Sequence, residues 1–152
     1  MDRTTKATRT QEWLRLAYKH LATARMVQRQ GDLYADIACF HAAQSVEKAL
    51  KGYLFWLEEA RPEADGIDTL LGRLDRSDAL LARCPDDLAL LTRHADALDA
   101  PDPGARSAEE AQAATQQARQ VFRAALKRVL ELRKEPTSSP SSPLAASSTR
   151  AA

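Results

Sequence analysis

Three histidines, His20, His41 and His94, are the side chains of this chain best suited to moving a proton near neutral pH. Metal-free cleavage chemistry would join such a group, as base, to an acid for the leaving oxygen and a cation for the negative charge that develops. Arg15 and His20, a cation and a base, stand five positions apart. On a helix they lie about 140° apart and do not share a face. His94 follows Arg93 directly and reads as a surface or boundary histidine of its helix. His41 opens a run whose hydrophilic members, Gln44, Glu47, Lys48 and Lys51, form a narrow strip on an otherwise apolar helix. That strip is either a solvated face with one Glu47–Lys51 ion pair or a binding surface. Trp13 reads as a packing anchor, and Trp56 points away from the broad apolar face, where it could meet a partner chain. Cys39 and Cys84 read as small hydrophobes, too few for a disulfide scaffold or a cysteine-based zinc site. No Gly-rich phosphate loop, His-Glu-x-x-His or Gly-x-Ser-x-Gly occurs, so no metal or cofactor is expected.

These residues sit in a chain of 152 with 44% hydrophobic side chains and a net charge of +1, enough for one domain with a buried core. The near-zero total conceals a polarised distribution. Residues 1–30 carry +5, 31–57 carry −1, 58–102 carry −7 and 103–152 carry +4. Either the segments lie side by side and neutralise each other, or the basic ends offer a surface to an anionic partner. No apolar run is long enough to cross a bilayer and none follows the N-terminus, which predicts a soluble cytoplasmic protein away from membranes. Residues 1–9 read as a flexible basic arm. Residues 135–152, rich in Pro, Ser and Ala, read as a disordered tail, because they cannot bury enough apolar area to offset the cost of ordering. The folded domain is therefore expected over 10–134.

Within it the apolar positions recur at three and four, so the expected fold is all-α, an antiparallel four- to five-helix up-and-down bundle. Trp13, Ala17, Leu21, Ala24 and Val27 mark the first helix. Gly31 supplies a left-handed stop, and Asp32 is placed to cap the next helix. The second helix, from about 33 to 59, is apolar over so wide an arc that it should be touched from several sides. Ile67, Leu70, Leu71 and Leu74 suggest a short third helix that could run on past Ser77. Pro85 suits the first turn of a fourth, whose buried row would be Leu88, Leu91, Ala95 and Leu98. Pro101 to Gly104 break the chain, and Ser107 with Glu110 predicts a capping box for a long last helix.

The segment from His41 to Lys51, His-Ala-Ala-Gln-Ser-Val-Glu-Lys-Ala-Leu-Lys, resembles the signature helix of the HEPN family, aromatic-His-x-x-Gln-x-x-Glu-Lys-x-Leu-Lys, with Phe40 as the aromatic. The Gly-Asp-Leu-Tyr turn at 31–34 and Ala-Glu-Glu-Ala at 108–111 fit as well. The resemblance implies a small helical bundle, often a homodimer, commonly paired with a minimal nucleotidyltransferase in a toxin–antitoxin unit. Many members are metal-independent RNases that use an Arg-x(4–6)-His motif, and others look non-catalytic and nucleotide-binding. This chain departs from the pattern twice. Where a Thr-His-Asp-Leu turn often opens the third helix it reads Asp65-Gly66-Ile67-Asp68, and where Arg-Tyr-Pro often precedes the last helix it has Ala105-Arg106-Ser107. Arg106 stands where a remnant of that motif would be found. The expectation is a dimeric interaction or nucleotide-associated module rather than an enzyme, with Gln44, Glu47, Lys48, Lys51 and Trp56 at its contact surface. A metal-independent RNA endonuclease toxin drawing on His41, Arg15, His20 or Arg106, and a non-catalytic nucleotide-binding bundle, remain the alternatives.

Overall fold

A carboxylate at the second position sets where the first helix begins. Asp2 accepts hydrogen bonds from the Thr4 and Thr5 amides at 2.9 Å, satisfying donors that no preceding turn can reach. In the computed structural model, which describes residues 1–58, 66–86, 88–95 and 106–136, helix α1 accordingly runs over Arg3–Gln28. The expected loose arm over 1–9 is instead the first two turns of this helix. Arg3 adds to the anchoring, because its guanidinium donates to the Arg133 and Glu135 carbonyls at the far end of the last helix, where a cation is favoured by the macrodipole. The proposed tail lies outside the described residues from 137 onward.

Gly31 adopts φ 79°, the left-handed conformation that stops α1 and that a Cβ would strain. A short 3-10 turn over Asp32–Tyr34 then leads into α2, Ala35–Glu58. The Asp32 carboxylate does not cap α2 as expected. It accepts from the Ala108 amide at 2.7 Å and so caps the last helix, α5 (Ala108–Lys134), which it brings against the start of α2. Ser107 completes that cap by accepting from the Glu110 amide at 3.1 Å, the reach the Ser-x-x-Glu pattern predicts.

α2 is the hub. Leu50, Tyr53 and Leu54 are wholly enclosed, and α1, α5 and the short helices α3 (Ile67–Gly72) and α4 (Ala89–Ala95) all pack on it. Its register against α1 is antiparallel: His41 meets His20, Ser45 meets Ala17, and Gly52 meets Trp13 and Leu14. The two backbones approach so closely that a Cβ on Gly52 would lie 3.0 Å from the Trp13 Cβ. α5 runs parallel to α2, from the Asp32–Ala108 contact at one end to Tyr53 and Arg128 at the other. The order is up-down-up-down, but the third leg is broken into α3, a 3-10 turn at Leu81–Arg83 and α4. The expected fourth helix starts at Ala89 rather than Pro85. Leu88 and Leu91 are buried as expected, and Leu98 lies outside the described residues. Tyr53 fastens this leg to the hub by donating to the Asp78 carboxylate at 2.8 Å. There is no strand among the described residues.

Candidate functional site

The polar strip of α2 faces α1 rather than solvent. His41, Gln44 and Lys48 recur at three and four, which sets them along one side of the helix. His41 Nδ1 lies 2.9 Å from His20 Nδ1, with the rings tilted by 31°. One Nδ1 must carry the proton and the other accept it, so the two rings hold opposite tautomers when both are neutral. Burial pushes both imidazoles below their ordinary value, and the mutual repulsion of the pair and the nearby Lys48 push His20 further. Next along the strip, Glu47 accepts from Lys51 at 2.6 Å and from Lys48 at 3.0 Å. Burial raises the Glu47 carboxyl, but the hydrogen bonds from Lys51 and Lys48 outweigh it and hold the group below the usual carboxylate range. The Lys51 side chain is only 7% exposed and its ammonium sits 5.8 Å from the Trp13 ring centre, a cation–π contact inside the helix interface. A solvated strip with one ion pair is therefore not what forms. The strip is a half-buried seam with two ion pairs on a single carboxylate.

The third histidine overturns its reading as a surface or boundary group. His94 is 2% exposed and its Nδ1 accepts from Arg106 Nε at 2.8 Å. Accepting there places the imidazole proton on Nε2, which is buried without a hydrogen-bond partner. Burial, with Arg106 and Arg93 beside it, pushes the ring down to about 4. Arg106 also donates to the Arg93 carbonyl, so the guanidinium joins the end of α4 to the start of α5. The signal for its burial, though not for its partner, was present in the chain: His94 stands three positions after the buried Leu91, on the same side of α4.

The structure brings His20 to His41, and Arg106 to His94, but it does not bring Arg15 to His20. Arg15 is exposed and lines a groove between α1 and α5, whereas His20 turns toward α2. Trp56 is also not at a free surface: it is 8% exposed within its own chain's core, with the Lys6 ammonium 5.2 Å from its ring centre. Burial lifts both thiols to about 11, so Cys39 and Cys84 remain un-ionised and chemically quiet. Among the described residues no group of three His, Cys, Asp or Glu side chains could hold a metal ion. None of the described helices is long and apolar enough to cross a membrane.

What the arrangement can do chemically is limited by these pairings. A neutral, enclosed His94 cannot hand a proton to a leaving oxygen, and Arg106 is occupied in holding it. The His20–His41 pair, with Lys48 held by Glu47 beside it, forms a part-buried polar cluster between α1 and α2.

Comparison with known proteins adds the context. The sequence profile of the HEPN domain matches residues 10–129. The crystal structure of TT1696 from Thermus thermophilus is similar at 29% sequence identity, with a TM-score of 0.60 over 79% of this chain and 98% of that one. No curated protein matches the chain.

Proposed function

The chain is a member of the HEPN family, and on that premise we propose that it works as a dimeric interaction module in the cytoplasm rather than as a ribonuclease. Its partner would be a minimal nucleotidyltransferase, in a toxin–antitoxin-type pair, with a nucleotide or RNA as the associated ligand. One observation carries the reading. Among the described residues no arginine and histidine converge on solvent: Arg106 and His94 are locked together inside the chain, and Arg15 and His20 face different neighbours. A strand-cutting site needs both groups free to meet a phosphodiester, one of them able to gain and lose a proton near pH 7. The nucleotide-associated part of the reading draws on the half-buried seam, where Lys48 lies close enough to His20 to depress its titration.

The test is to purify the full chain, alone and co-expressed with the nucleotidyltransferase nearest its gene, and to weigh both preparations by light scattering. The proposal expects a dimer that retains the nucleotidyltransferase through size exclusion. A monomer that leaves the nucleotidyltransferase in the unbound fraction would end it. Calorimetry with ATP tests the nucleotide part separately, and heats equal to dilution would remove it.

A further inference from the structure

The surface between α1 and α5, on the side away from α2, is built like half of a helix–helix interface. Its cavity holds about 370 Å³. Along α1 the wall is Ala7, Thr10, Leu14 and Tyr18, at steps of three and four; along α5 it is Phe122, Leu126 and Leu130, at steps of four. Each is the stripe into which a third helix sets its own side chains. From Ala7 to Lys19 the wall spans about 18 Å at a helical rise of 1.5 Å per residue, or about three turns. Tyr18 and Leu130 are 56% and 45% exposed, and the Tyr18 and Phe122 rings meet across the groove at 5.9 Å. Thr10 is 1% exposed, and its hydroxyl makes no hydrogen bond.

Charge selects the occupant. Arg15, Lys19 and Arg133 stand on the rim, and among the described residues their side chains form no ion pair. The carboxylates close by are already committed: Glu12 to Arg9, and Glu131 to Arg83 and Arg128. A second copy docking through the same face would add the same three cations. We infer that this groove receives an amphipathic helix from a partner protein, apolar along one stripe and acidic along its flanks. The inference rests on reading the chain as an interaction module, and it adds where the partner sits and what its sequence must look like. The partner helix would set two or three large apolar side chains between Tyr18 and Leu130 and aim its carboxylates at Arg15, Lys19 and Arg133.

The probe is a synthetic, fluorescently labelled 18-residue helix with leucines at three–four spacing and glutamates beside them, with a twin in which lysines replace the glutamates. Anisotropy is read on the full chain. The expected result is binding of the glutamate peptide alone, weakened by added salt, and lost at least tenfold in R15E/K19E and in Leu130→Asp. Melting curves identical to the parent would show that these exposed substitutions leave the fold intact. Equal binding of both peptides, or none by the glutamate peptide, overturns the inference. So does a fall from dimer to monomer in R15E/K19E, which would make the groove the contact between copies. Uptake of a fluorescent anionic acyl probe with no peptide binding would overturn it in favour of a lipid slot. Metal-free RNA cleavage would instead remove the proposed function while leaving peptide binding as it stands.

Discussion

The two long sides of α1 hold similar residue types in opposite circumstances. On the side facing α2, His20 bonds to His41, the Ala17 carbonyl accepts from Ser45 at 2.9 Å, and the Trp13 ring faces Lys51, itself held by Glu47. On the side facing α5, Arg15 and Lys19 form no ion pair among the described residues, and the Thr10 hydroxyl has no partner. Polar groups that satisfy one another within the chain specify packing, because burying them unpaired is costly. Cations left at the rim of an apolar groove are available to something else. Residue type alone would have pointed to the histidines; pairing points to the groove.

The contrast breaks most visibly if the seam proves dispensable. Glu47→Ala leaves the Lys51 ammonium buried without its carboxylate, and should cost about 3 to 4 kcal/mol in urea unfolding. A loss no larger than that of an average surface change would mean the seam is solvated after all.

Acid should produce the next largest effect. His94 has a folded value of about 4 against 6.5 in the unfolded chain, so the native state binds fewer protons. Its contribution is fully present above pH 6.5 and is lost progressively as pH falls from 6.5 to 4, by up to about 3 kcal/mol. His20 and His41 are shifted in the same direction and add to the same decline. Unfolding midpoints measured between pH 4 and 7.5 check this, and a flat profile would contradict it.

Gly52→Ala sharpens the contrast further. Its new Cβ would press on Trp13 and Leu14, and the helices would part at a cost of about 2 kcal/mol, read as a lower melting temperature. The smallest effect belongs to the groove. Arg15→Glu with Lys19→Glu should leave the melting temperature unchanged, because neither side chain makes an ion pair or hydrogen bond among the described residues.

Much of the frame was legible from periodicity. The row Ala17, Leu21 and Ala24, the Gly31 stop, the Ser107–Glu110 cap and the central place of α2 all follow from apolar spacing and local turn chemistry. The third leg was legible only in part: short helices near Ile67 and Leu91 follow from apolar spacing, but their ends do not, because pieces this short do not let a 3.6-residue period declare itself and Tyr53–Asp78 fixes them from a distance. The arm at 1–9 was misread because its apolar content is low. One carboxylate, Asp2, and one arginine, Arg3, supply what packing does not. At the site, the strip of α2 could be named from its spacing, but its burial depended on α1, and the same composition fits a wet or a dry strip. The Arg106–His94 bond was hidden by a twelve-residue separation that no local rule spans.

The proposed function holds that the histidines of this chain support its structure and do not cut RNA. Incubating the purified full chain with labelled RNA in excess EDTA tests it, alongside His41→Ala, His20→Ala and His94→Ala variants. The account predicts that the parent protein cleaves no faster than any variant or than buffer. Cleavage by the parent that disappears in one of the three variants would contradict it.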